Sequence, residues 1–109
     1  CYLVLEWLDI GSGGNKAWEE MGRHLAAMHK VKQNRFGWDM NNTIGSTPQI
    51  NTWTDSWVEF YTEHRLGYQF KLGRRKGGHF PSSEELLAAI PELLAGHEVQ
   101  PSLVHGDLW

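Results

Sequence analysis

The sequence predicts a mainly α chain with a few short strands. Three stretches, which begin near residues 16, 55 and 83, repeat apolar side chains at spacings of three and four, the pattern of an amphipathic helix. Segments rich in Gly and Asn separate them, and the remaining apolar runs are short. With 109 residues, 40% of them hydrophobic and 21% charged, the chain has the size and composition of a single globular unit.

The first predicted element is a buried strand over residues 2–8, where apolar and β-prone residues form a short run. Three glycines between residues 11 and 14 predict a turn after it. A helix follows from Lys16 to about Val31, with Asn15 as its N-cap. Its apolar face is formed by Trp18, Met21, Leu25 and Met28.

Residues 33–53 are predicted to form a long loop without a regular element. Gly37, Gly45, Pro48 and four Asn residues interrupt both helical and strand patterns in this stretch. Several apolar and aromatic residues lie among them, which favours a packed loop over a disordered one. Loops of this length within a compact domain are often functional or packed on a partner surface.

A second helix is predicted from Asp55 to about Leu72, with aromatic residues at i, i+3, i+4, i+7 and i+11 along one face. These residues are Trp57, Phe60, Tyr61, His64 and Tyr68. Four basic residues between 71 and 76 follow, and we interpret them as a solvated group that ends the helix, because basic residues favour helix C-termini. A phosphate-binding patch is the alternative interpretation.

A third helix is predicted after Ser82, which with Glu85 has the spacing of a capping box. Its apolar face is formed by Leu86, Leu87, Ile90, Leu93 and Leu94. Pro91 is expected to split or kink this helix. A very short apolar stretch then leads into the triplet His105-Gly106-Asp107.

Charge and cysteine content disfavour several classes of protein. The net charge of -3 argues against a nucleic-acid binder, and the apolar runs are too short to cross a membrane. The single cysteine, Cys1, forbids an intrachain disulfide and predicts a reducing, cytoplasmic compartment. Histidine metal binding is disfavoured because His24 and His29 are five residues apart, so they do not share a helical face at i, i+4.

Asp107 is the strongest candidate for a catalytic residue. It directly follows a Gly at the exit of an apolar stretch, and a carboxylate held in such a loop is well placed to accept a proton from a hydroxyl group. Taken alone, the triplet is a weak signal, because an Asp that merely forms a turn is the more frequent case.

The surrounding sequence resembles one enzyme family. Residues 101–109, PSLVHGDLW, are similar to the catalytic-loop signature of the fructosamine/ketosamine 3-kinases, a family similar in turn to aminoglycoside phosphotransferases and, more distantly, to protein kinases. Residues 3–8 resemble the hinge strand of that family, and residues 22–29 resemble its following helix. Residues 48–53 and 57–66 continue the match in the same order.

This resemblance implies a partial kinase-like domain over residues 1–109, mostly the helical C-terminal lobe of a protein-kinase-like fold. It comprises a hinge strand at 2–8, a helical lobe at 15–96 and the start of the catalytic loop at 103–109, with a further short strand before that loop. The nucleotide-binding lobe and the metal-binding segment are absent. The first residue, Cys1 in place of Met, and the final Trp109 also predict a piece of a longer protein.

The resemblance also implies the roles of individual residues. Asp107 matches the proton acceptor of the family, His105 braces its loop, and Trp109 flanks the sugar site. The backbone of Glu6, Trp7 and Leu8 would hold the adenine of ATP, and magnesium would be held by groups outside this chain.

The predicted activity is ATP-dependent phosphorylation of the 3-hydroxyl of small ketosamines or glycated proteins. The predicted biological role is deglycation. The isolated chain is expected to be inactive. Two alternatives stay open: a phosphotransferase for aminoglycosides or choline, and a non-catalytic helical binding module. No nucleic acid or membrane partner is expected, whereas exposed aromatic faces predict possible self-association.

Overall fold

The computed structural model describes residues 2–106 of the chain. Helix α1 covers Asn15–His29, and strands β1 and β2 cover Asn42–Ile44 and Thr47–Gln49. Three consecutive helical segments follow: α2 (Trp57–Glu59), a π-helical segment (Phe60–Gly67) and α3 (Tyr68–Arg75). Helix α4 covers Ser83–Leu93. The three predicted helices are therefore present, in the predicted order.

Helix α1 begins and ends earlier than the apolar pattern predicts. Its N-cap is Gly14, whose carbonyl accepts the backbone N–H of Ala17 at 2.9 Å, so the prediction of Asn15 as N-cap is wrong. The helix ends at His29 because the chain beyond it pairs elsewhere. The carbonyl of Val31 accepts the N–H of Leu103 at 2.9 Å instead of continuing the helical ladder.

Neither of the two strands predicted for the hinge and the catalytic loop is formed. Residues 2–8 adopt no regular element, and their apolar side chains are exposed, for example 81% for Leu3 and 87% for Trp7. A strand needs a neighbour to pair its backbone groups, and this segment has none within the described residues. Before the catalytic loop, only an isolated antiparallel bridge between Lys32 and Ser102 forms.

The loop at residues 33–53 contains a β-hairpin, so the expectation of no regular element is wrong. Strands β1 and β2 pair antiparallel, with Ile44 opposite Thr47 and Thr43 opposite Pro48. Gly45, at φ 57°, allows the two-residue turn between them. Pro48 is tolerated because each strand of a two-stranded sheet is an edge strand.

The aromatic stripe of the second predicted helix is confirmed. Trp57 lies 5.6 Å from Tyr61 and 6.1 Å from Phe60, and Phe60 lies 5.7 Å from His64, all measured between ring centroids. The stripe also holds the preceding loop, since Phe36 lies 5.5 Å from Trp57. The helical run ends at Arg75, three residues beyond the predicted end at Leu72, so Arg74 and Arg75 lie in its last turn and not in a turn after it.

Helix α4 departs from two expectations. Ser82 is its N-cap, but its backbone (φ -94°, ψ 13°) is not extended and its side chain makes no cap hydrogen bond, so the predicted capping box is wrong. At Ser56 the backbone is extended, and there the hydroxyl does accept the N–H of Glu59. Pro91 does not split α4, which continues past it to Leu93.

The core of the described residues is small and partly polar. Phe60 and Ile90 are the buried hydrophobic residues, at 6% and 4% exposure, and three polar residues are buried with them: Asn51, Thr54 and Ser83. Helix α4 packs on the π-helical segment, where its Leu87 lies beside Gly67. Among the described residues, no helix is both long enough and apolar enough to cross a membrane.

Candidate active site

The segment that leads to Asp107 is attached to the chain that follows helix α1. The N–H of Leu103 donates to the carbonyl of Val31 at 2.9 Å, and the N–H of Gln33 donates to the carbonyl of Pro101 at 3.0 Å. These two bonds flank the bridge between Lys32 and Ser102. Although about seventy residues separate the two strips of chain, they lie side by side.

His105 stacks on the last residue of helix α1. The rings of His29 and His105 have centroids 5.5 Å apart and planes 27° apart. The Nε2 atom of His29 is buried and has no hydrogen-bond partner among the described residues. The periodicity of the sequence did not reveal this contact, and the role of His105 as a brace for its loop stays a prediction.

Gly106 turns the backbone directly after this stack. Its φ is 84°, in the left-handed region that L side chains rarely adopt, and an added Cβ would meet no atom of the described residues within 4 Å. The turn therefore needs glycine for its backbone conformation and not for space. Asp107 and Trp109, predicted as the proton acceptor and a sugar contact, lie outside the described residues.

The predicted adenine-binding residues lie in the exposed N-terminal segment. Trp7 donates from Nε1 to a carboxylate oxygen of Asp9 at 3.2 Å, and its side chain is 87% exposed, compared with 66% for Leu8. The open depression beside them is lined by consecutive residues from Trp7 to Ile10. These residues alone do not enclose a nucleotide site, and their role in holding adenine stays a prediction.

A polar cluster behind the hairpin was not expected from the sequence. Arg65 donates to the carbonyl of Ile50 at 2.6 Å and to Oδ1 of Asn51 at 2.8 Å, while its guanidinium lies 4.4 Å from the ring centroid of Phe60. The side chain of Asn51 donates to the carbonyl of Met40 and to Oδ1 of Asn42. Burial lowers the pKa of Arg65, but a guanidinium remains protonated at any physiological pH.

The described residues do not fit a magnesium site. Magnesium requires several oxygen ligands around one point, and no group of three or more His, Cys, Asp or Glu side chains converges within residues 2–106.

The basic residues that follow the second predicted helix are partly paired with side chains of helix α4. Arg74 donates to a carboxylate oxygen of Glu84 at 2.8 Å and to the hydroxyl of Ser83.

The family model for fructosamine kinase matches residues 1–109, which is the whole chain. The chain belongs to the fructosamine kinase family. The resemblance of the HGDLW segment and its preceding helices to this family is thereby confirmed.

Two curated relatives of this chain are similar to it over almost its whole length. A probable ketoamine kinase from Synechocystis is 51% identical over 109 residues, which cover 99% of this chain and 37% of that protein. A chloroplastic protein-ribulosamine 3-kinase from Arabidopsis thaliana is 46% identical, covering 99% of this chain and 34% of that protein. The chain thus spans about a third of the length of these relatives.

Solved structures of fructosamine kinase family members share the fold. A putative fructosamine-3-kinase from Haemophilus somnus superposes with a TM-score of 0.84 at 27% identity, over 95% of this chain and 36% of the other. One from Thermobifida fusca gives a TM-score of 0.81 at 35% identity, over 95% and 37%. The predicted kinase-like architecture is consistent with these matches, whereas the two predicted strands are not formed.

Proposed function

We propose that this chain forms part of an ATP- and magnesium-dependent kinase that phosphorylates the 3-hydroxyl of ketosamines, the products of amine and protein glycation. The observation that carries the proposal is the match of the fructosamine kinase model to all 109 residues, including His105-Gly106-Asp107. The ketoamine kinase and ribulosamine 3-kinase named above support the same substrate class. Removal of the sugar from glycated amines would be the consequence of this activity.

We assign residues 1–109 to a partial kinase-like domain, with a hinge at 2–8, a helical lobe at 15–96 and the start of the catalytic loop at 103–109. The superposition on 95% of the chain supports this division, as does the coverage of 36–37% of the matched structures. We place the magnesium ligands and most of the nucleotide contacts outside residues 2–106, because those residues fit neither a metal site nor an enclosed nucleotide site.

In the proposed reaction, the oxygen of the sugar 3-hydroxyl attacks the γ-phosphorus of ATP. Asp107 accepts the proton that this hydroxyl loses. The new P–O bond forms as the bond to the β-phosphate oxygen breaks, giving the 3-phosphate and ADP. Trp109 flanks the sugar, and the backbone of Glu6 and Leu8 holds adenine on either side of Trp7. The paired strips at Val31 and Leu103 support this assignment, because they fix the base from which the catalytic loop departs.

The proposal is tested with the intact protein that carries these residues, supplied with ATP and magnesium. We expect it to phosphorylate free fructosyl-lysine or ribulosyl-lysine, and phosphorus NMR of the product should place the phosphate on C3. Turnover of an aminoglycoside or choline without turnover of either ketosamine would favour the related phosphotransferases instead. No turnover of any of these substrates would favour a non-catalytic binding module.

We also expect the 109 residues alone to be inactive. Phosphoryl transfer depends almost wholly on positioning and charge stabilisation, and the described residues supply neither a metal cluster nor an enclosed nucleotide site. The measurement is release of ADP and labelling of fructosyl-lysine by the isolated chain. Ketosamine-dependent ADP release above the background of a sample without protein would refute this expectation.

A further inference from the structure

We infer that His29 is a positioning residue, whose ring holds His105 and thereby sets the direction in which the chain enters Asp107. This inference rests on the proposed function, because Asp107 has a catalytic role only there. It adds a residue of helix α1 to the machinery, 76 positions before its contact in the sequence.

The segment that precedes Asp107 is held by backbone hydrogen bonds of the described residues only as far as Leu103. The bonds that join this segment to the chain after α1 end at the N–H of Leu103. Within the described residues, no hydrogen bond is found for positions 104–106, and Val104 is 68% exposed. Beyond Leu103, the described residues show one aromatic contact on this segment, the stack of His105 on His29. Loss of this contact would remove the described interaction that holds His105 against helix α1.

The contact operates through the face of the His29 ring. Its Nε2 atom is buried without a partner in the described part of the chain, so this nitrogen makes no hydrogen bond to residues 101–106. A buried nitrogen without a partner lowers stability, and a merely structural position would be better filled by an apolar ring. The stacked ring, and not a hydrogen bond from Nε2, is therefore the described contact through which His29 can act on His105.

A purely structural role for His29 makes a different prediction. As the basic residue in the last turn of α1, a protonated His29 would stabilise the helix through its dipole. That role requires the charge, affects the free energy of unfolding and leaves the catalytic rate of the folded protein unchanged. Substitutions that separate the ring face from the charge distinguish the two roles.

The experiment compares His29→Leu, which fills the space without a flat face, with His29→Phe, which keeps the ring and removes the charge. In the intact protein, His29→Leu should lower kcat for fructosyl-lysine by about 10- to 100-fold, the cost of misplacing a reacting group by about 1 Å. The KM for ATP should stay within about twofold, because the hinge is elsewhere. His29→Phe should keep kcat within about threefold of the unsubstituted enzyme, because the phenyl ring still stacks on His105 and keeps the reacting groups in position.

His24→Leu is the matched control, because His24 is an exposed histidine on the same helix, and it should leave kcat unchanged. Circular dichroism and the unfolding midpoint establish that each variant is folded. Should His29→Leu fail to fold, His29→Gln replaces it, since glutamine is polar but has no aromatic face and should lose kcat equally.

Three results separate the possible outcomes. An unchanged kcat in His29→Leu or its Gln substitute would overturn the inference while leaving the proposed function intact. A loss in His29→Phe as large as that in His29→Leu would overturn the role of the ring face. Absence of ketosamine turnover in the unsubstituted protein would instead count against the proposed function.

Discussion

The Asp107→Asn variant of the intact protein is expected to lose kcat for ketosamine phosphorylation by about 10²- to 10⁴-fold, the usual contribution of a positioned general base. Asparagine has nearly the same shape as aspartate but cannot accept the hydroxyl proton. The KM for ATP is expected to change little, because the proposed hinge at residues 6–8 is separate from the loop. Steady-state kinetics with fructosyl-lysine as the varied substrate measures both quantities.

The control for this prediction is Asp39→Asn, the same chemical change at an exposed aspartate in the loop before the hairpin. It should leave kcat and KM unchanged. Circular dichroism should show the same helix content in both variants and in the unsubstituted protein. If Asp107→Asn keeps kcat within a factor of two while remaining folded, Asp107 is not the proton acceptor.

The helices are the part of the fold that the sequence predicted well. An α-helix satisfies most of its backbone hydrogen bonds within itself, so the spacing of its apolar residues already indicates its position. The contacts of Trp57 with Phe60 and Tyr61 follow directly from the i, i+3 and i+4 spacing. The details at helix ends were predicted less well, because Ser82 has a cap residue's identity without the backbone conformation that the cap bond requires.

Strands were predicted poorly because they depend on a partner. The apolar run at residues 2–8 has β-prone side chains, but no described segment pairs with it and it remains exposed. The polar residues at 42–49 form a hairpin, since the turn at Gly45 brings two complementary edges together. Alternation of apolar residues carries little information in a short hairpin whose first strand is exposed and whose second strand is only half-buried on one face.

The candidate site was predicted only in part, because contacts between residues far apart in the sequence leave no local pattern. Local pattern and family resemblance indicated His105 and Asp107, both in one short segment. The partner of His105 is His29, which local spacing could not connect to it. Arg65 and Asn51, 14 positions apart, likewise gave no local signal of their hydrogen bond.

The polar cluster behind the hairpin yields the largest expected effect on stability. Asn51 is 4% exposed, and its side chain joins Arg65 to the segment around Met40 and Asn42. Asn51→Ala removes these bonds and leaves buried donors and acceptors without partners. We expect it to lower the free energy of unfolding by about 2 to 4 kcal/mol, because each unsatisfied buried group costs roughly 1–3 kcal/mol.

Urea unfolding followed by tryptophan fluorescence measures this loss, since Trp38 and Trp53 are close in sequence to the cluster. Asn34→Ala, at an exposed asparagine of the same loop, is the control and should change the free energy of unfolding by less than about 0.5 kcal/mol. Arg65→Ala combined with Asn51→Ala should cost less than the sum of the two single changes, because both remove the same hydrogen bond. Strictly additive losses would show that Arg65 and Asn51 stabilise the fold independently.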